Sequence, residues 1–167
     1  MSGIINSAGS RSGVITSAPL GTDQPAFLAT LTAITNLAYN TDYYPTGTEI
    51  FDNGNNLAIN AVGSSAGSSG CVFTAPVTGR YQINFYWVLA DVPTDLGYFF
   101  AQIVTSNRTY QTKVGIEPNA TNNYLAGAVT TLADMDVSDT CQVMIHQNAG
   151  STQTDFNQGS FSGFLVA

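Results

Sequence analysis

Hydrophobic and polar residues alternate with a period of two along several stretches, each bounded by Gly, Pro or small polar residues. In TGRYQINFYWVLAD, Tyr81, Ile83, Phe85, Trp87 and Leu89 fall on one side, with Gln82, Asn84, Tyr86 and Val88 on the other. Alternation of that length predicts a strand with two different faces. LGYFFAQIVTS repeats the pattern, setting Phe99, Ala101 and Ile103 opposite Tyr98, Phe100 and Gln102. NNYLAGAVTTL predicts a third strand, rich in small residues, and DTCQVMIHQ a fourth with Cys141, Val143 and Ile145 on one side. SFSGFLVA predicts the last. VGSSAGSSG, ADVPTDLG, EPNATNN and NAGSTQTDFNQG read as the turns between them. AFLATLTAITNLAY fits either period, but its threonines and lack of charge weigh against a surface helix, so a strand followed by a loop is expected. Short strands joined by turn-rich loops, with no helical stretch, make an all-β sandwich or barrel.

The last strand carries a further constraint. Phe161, Gly163 and Leu165 share one face, and Phe164 and Val166 occupy the other. A strand with one wet face shows polar residues at alternate places. A two-layer sandwich covers only the inner face of each sheet, so a strand that is apolar on both faces needs a second subunit. Burying one large aromatic is worth about 1.5–3 kcal/mol, and a wet aromatic face invites aggregation. Self-association is the economical expectation.

Residues 1–24 show neither period. The segment is rich in Gly and Ser, with apolar pairs at Ile4-Ile5 and Val14-Ile15, and cannot bury enough surface alone to offset the entropy of ordering it. It reads as an extended attachment arm, mobile when free and ordered only against a partner, ahead of a head spanning 25–167. At 167 residues one domain with a sizeable core is expected.

Charge narrows the partners. Charged residues make up 9% of the chain, against about 25% in ordinary globular domains. The basic residues are Arg11, Arg80, Arg108 and Lys113, and the net charge is -7. Nucleic acid is held by neutralising several phosphates at once, and anionic membranes by basic clusters, so neither is an expected partner. No apolar run approaches a membrane span, and MSGIINSAGS lacks the charged and apolar regions of a secretory signal.

Candidate chemistry is sparse. Catalysis needs convergent titratable groups, and His146 is the single histidine; GxSxG, P-loop and HExxH patterns do not occur. An enzyme is not expected, and no cofactor is implied. Cys71 and Cys141 form no CxxC pair and read as two buried thiols, with a disulfide as the alternative. Asp134, Asp136 and Asp139 in DMDVSD are candidate calcium ligands, although the EF-hand spacing is missing and an exposed acidic loop is the plainer reading. Asn107-Arg108-Thr109 and Asn119-Ala120-Thr121 match the glycosylation sequon but read as loop residues. Aromatics on strands default to packing, which leaves the loop pair Tyr43-Tyr44 as the candidate for stacking on a glycan.

In this order, PAFLATL, TEIFDNGNN, CVFTAPVTGRYQINFYW and GSFSGFLVA resemble the globular head of complement component one q, and more loosely the tumour necrosis factor jelly roll. The most specific pieces are Phe73-Thr74-Ala75-Pro76, Gly79-x-Tyr81-x-x-x-Phe85 and Phe161-Ser162-Gly163-Phe164-Leu165. Ile83 stands where an aromatic is usual, and the stretch from Asn56 to Phe73 lacks the expected aromatic. The resemblance implies a ten-stranded jelly-roll sandwich that forms compact homotrimers. It also implies that the first, third and last strands lie in the sheet facing the threefold axis. The trimer-facing residues expected from it are Tyr81, Phe85, Tyr124, Phe161, Phe164 and Val166.

The arm sequence GIINSAGSRSGVI resembles the opening of small structural proteins of tailed phages, where it precedes such heads. No Gly-x-y repeat of the animal relatives precedes the head here. The resemblance implies a virion part assembled in the host cytoplasm: a capsid decoration or cement protein held by its arm, with Ile4, Ile5, Arg11, Val14 and Ile15 touching other virion proteins of capsid or tail. The alternative is a tail-fibre or head-fibre tip whose loops bind a host surface glycan.

Overall fold

The computed structural model describes residues 24–94, 96–115, 124–148 and 153–166. Eleven strands are formed there: β1 (Ala26–Leu31), β2 (Thr41–Tyr43), β3 (Gly47–Asn53), β4 (Leu57–Ile59), β5 (Cys71–Thr74), β6 (Gly79–Ala90), β7 (Tyr98–Thr105), β8 (Thr109–Gly115), β9 (Tyr124–Met135), β10 (Thr140–Asn148) and β11 (Asp155–Leu165). Ten run in two five-strand paths, β3-β1-β11-β6-β9 and β4-β5-β10-β7-β8, and the short β2 joins the side of β10. Every pairing is antiparallel. The result is an all-β jelly-roll sandwich, and the eleventh strand is the three-residue β2.

The core follows from the alternation. Tyr81, Ile83, Phe85, Trp87 and Leu89 of β6 are all fully buried, facing Phe73, Phe99, Ile103, Val143 and Ile145 of the second sheet. Phe27 stacks on Phe73 at 4.5 Å between ring centres and meets Phe161 edge-on at 4.8 Å, while Trp87 packs against Phe99 at 5.0 Å. Two glycines open room for these rings. A Cβ on Gly127 would lie 2.4 Å from the Trp87 indole, and one on Gly163 would lie 2.6 Å from Ile83 and 2.8 Å from Phe27.

The expected strands are present, and the structure adds to them. β11 starts at Asp155, inside a stretch that reads as a turn. Its pairing with β6 shifts register between Phe156 and Gln158, which breaks the period of two. β8 is an edge strand in which exposed Thr109, Gln111 and Lys113 alternate with half-buried Tyr110, Thr112 and Val114, and none of its positions is fully buried. On β10 the side opposite Cys141 and Val143 is covered too: Gln142 and Met144 are buried, and the Gly67 amide donates to Gln142 Oε1. The Ser- and Gly-rich loop lies over that sheet. AFLATLTAITNLAY is β1 followed by a loop, tied back by a bridge between Ile34 and Phe156.

Candidate functional site

The first sheet turns one face to the core and the other away from the chain. Register sets the outward residues of its three central and edge strands side by side: Phe164, Gln82 and Leu132 in one row, Ser162, Asn84 and Thr130 in the next, Ser160, Tyr86 and Ala128 in the third. Leu28 of β1 continues the middle row beside Ser162, and Phe51 of β3 beside Leu28. None of these residues is charged. Charge returns at the rim, where Arg80 pairs in register with Asp134.

Nothing in the described chain covers this face. Tyr124 is 65% exposed, Leu132 51%, Phe164 45% and Tyr86 43%, although each belongs to a class that burial favours. A contiguous exposed apolar patch on a folded chain marks an interaction surface. The adjoining edge carries a second group: Ile50 on β3 and Ile59 on β4 are exposed where the two sheets lie beside each other. Ile50 is the residue left unpaired by the bulge against β1. Face and edge are different surfaces, and contact of one with the other between copies is head-to-tail, the geometry that closes rings.

Three of the trimer-facing residues expected from sequence point elsewhere. Tyr81, Phe85 and Phe161 lie on the core side of β6 and β11 and are fully buried within one chain. Their alternation partners face outward instead, so the surface residues are Gln82, Asn84, Tyr86 and Phe164. Tyr124, Phe164 and Val166 are exposed. Leu132 and Tyr86 escaped the sequence reading, although Tyr86 stands opposite the buried face of the best-patterned strand and β9 shows the same alternation.

The glycan candidates are set into the fold to different degrees. Tyr44 is buried, and burial, with the Asp42 charge adding to it, raises its phenol above the usual value. Tyr43 lies on β2 and its hydroxyl accepts the Ala38 amide at 3.1 Å. The acidic loop is a hydrogen-bonded turn. Asp139 Oδ2 accepts the Asp136 amide at 2.8 Å and Asn107 Nδ2 at 2.6 Å, Asp136 Oδ1 accepts Thr78 Oγ1 at 3.4 Å, and Asp134 stands on β9 opposite Arg80. Among the described residues no three His, Cys, Asp or Glu side chains converge.

His146 is a satisfied histidine on the outer side of the second sheet. Lys113, Phe100, His146 and Asp42 are successive register partners across β8, β7, β10 and β2. The imidazole stacks on Phe100 at 4.5 Å with 6° between planes, and Nδ1 meets Asp42 Oδ1 at 2.7 Å. Lys113 Nζ lies 3.6 Å from the Tyr98 ring centre. This ladder fastens β2 to its sheet. Cys71 and Cys141 are free, buried thiols. Of the sequons, Asn107 is held by Asp139, and Asn119-Ala120-Thr121 lies outside the described residues, as do the arm residues Ile4, Ile5, Arg11, Val14 and Ile15.

No protein-family description matches the chain, and no curated protein does. Solved structures do. The globular domain of the zebrafish complement 1qA protein is similar at TM-score 0.57 and 16% identity, over 86% of this chain and 98% of that one. Murine APRIL is similar at TM-score 0.59 and 11% identity, over 86% and 99% of the two chains. The PRD1 vertex protein P5 is similar at TM-score 0.58 and 12% identity, over 88% and 99%. At such identities the likeness establishes the fold: a jelly roll of the complement-one-q and tumour-necrosis-factor type.

Proposed function

We propose that the chain is a virion structural protein, a homotrimeric head that decorates a particle and is attached by its N-terminal arm. The observation that carries the reading is the uncharged outer face of the first sheet, with Tyr86, Leu132 and Phe164 exposed on a single chain. Three copies joined face to edge bury it. The described chain enters β1 at Gln24, beside the end of β11: Gln24 Nε2 donates to the Leu165 carbonyl, and the Leu165 amide donates to the Pro25 carbonyl at 2.9 Å. Exposed Val77, Val137 and Val166 gather at this end of the sandwich, where the Val166 amide donates to the Arg80 carbonyl at 2.7 Å and the Val137 amide to Thr78 Oγ1 at 3.1 Å. The arm-bearing end thus sets exposed valines among the charged residues Arg80, Asp134 and Asp136, a mixed surface of the kind that can seat on a particle, and a vertex protein among the fold neighbours is in keeping with that reading.

Trimerisation makes a weak arm effective. Once one arm of a trimer is bound, the other two are held near the surface at high effective concentration. Deletion of residues 1–24 is expected to leave soluble trimers that no longer co-sediment with particles lacking the protein. Co-sedimentation undiminished by the deletion would contradict the arm's role. For the fibre-tip alternative, Tyr44 is buried and the Tyr43 hydroxyl is engaged within the fold, so a glycan would have to be held by other loop residues.

A further inference from the structure

The apolar face has a polar island in it. Gln82 Nε2 donates to Thr130 Oγ1 at 2.8 Å, and Thr130 Oγ1 donates to Asn84 Oδ1 at 2.6 Å. A weaker contact from Gln82 Nε2 to Asn84 Oδ1 at 3.4 Å closes the group. Phe164 and Leu132 flank Gln82 on either side, and Tyr86 lies two residues beyond Asn84 on the same face. The internal bonds leave Gln82 Oε1, an acceptor, and Asn84 Nδ2, carrying two donor hydrogens, with no partner among the described residues.

On an isolated chain water satisfies both atoms. Covering Phe164, Leu132 and Tyr86 removes that water, and an amide buried without a partner is costly. One outward donor beside one outward acceptor is self-complementary head-to-tail, the relation that neighbours in a cyclic ring have. We infer that, where the three faces converge at the ring's axis, Asn84 Nδ2 of each protomer donates to Gln82 Oε1 of the next, so that three such pairs fix the rotational register of the trimer. The inference rests on the trimer reading and names the contact that specifies it. A hydrophobic face alone tolerates sliding; a polar pair inside it penalises every register in which the amides fail to meet.

The test is sedimentation equilibrium of the full chain beside Asn84→Asp, Asn84→Ala and, on the opposite sheet, Gln111→Glu, with circular dichroism as the check on folding. Asn84→Asp replaces the donor by a carboxylate facing an acceptor and is expected to raise the concentration for half-dissociation about a hundredfold or more. Asn84→Ala, which introduces no charge, is expected to raise it about tenfold. Gln111→Glu is expected to leave it unchanged. Wild-type trimers with both Asn84 variants dissociating as wild type would overturn the amide contact and leave the trimer standing. A monomeric wild-type chain would overturn both.

Discussion

Burial of Cys71 and Cys141 within the sandwich links the core to pH. Removal from water raises the Cys71 thiol from its ordinary 9.0 to about 11, and raises Cys141 as well. Burial also raises the Tyr81 phenol, against the opposing effect of its hydrogen bond to the Val77 carbonyl. Below about pH 9 the thiols are protonated in folded and unfolded chains alike, so they add no pH dependence. Above it the unfolded chain releases protons that the folded chain keeps, and stability falls as pH rises towards the folded value. The urea midpoint is therefore expected to be level at neutral pH and to fall between about pH 9 and 11, with a shallower fall in the Cys71→Ala, Cys141→Ala variant. A midpoint level throughout that range would contradict the burial. The sequence shows two lone cysteines on apolar stretches; the covering layer that raises their pKa comes from distant strands and is visible only after folding.

At the scale of elements, β11 shows what one strand's pattern can and cannot reveal. Its alternation separates Phe161 from Phe164, yet apolar character alone does not say which of the two faces the core. The neighbours decide: Phe161 lies opposite Phe85 in register and touches Phe27, whereas Phe164 lies opposite Gln82. Phe161→Ala is expected to lower folding stability by about 3–5 kcal/mol, as the loss of a buried aromatic does. Phe164→Asp is expected to leave the circular dichroism of the fold intact and to weaken assembly. Equal loss of fold in both variants would contradict the assignment of faces. The best-patterned strands, β6, β7 and β10, are legible because each keeps one unbroken period. β2 and β4 are three residues each, β8 is an edge strand with no fully buried position, and the start of β11 is masked by a bulge, so none of them stands out in the sequence.

At the scale of the whole molecule, the strand patterns point to an all-β sandwich or barrel and the family resemblance to the two-sheet form, but the use of the outer face follows from neither. The first sheet's outward rows draw on β11, β6 and β9, and only register assembles Leu132, Tyr86, Phe164 and the Gln82–Asn84–Thr130 group into one surface. The second sheet instead fills its outer side with the Ser- and Gly-rich loop over Gln142 and with the Lys113–Phe100–His146–Asp42 ladder. Among the described residues one sheet is covered by its own chain and the other is not, an asymmetry that suits the proposed ring. Sedimentation equilibrium of the purified full chain tests this most directly. A single species of three times the 17.6 kDa chain mass, reduced to the chain mass by Leu132→Asp with the fold retained, is the predicted result. A stable monomer at micromolar concentration, or a trimer indifferent to Leu132→Asp, would contradict it.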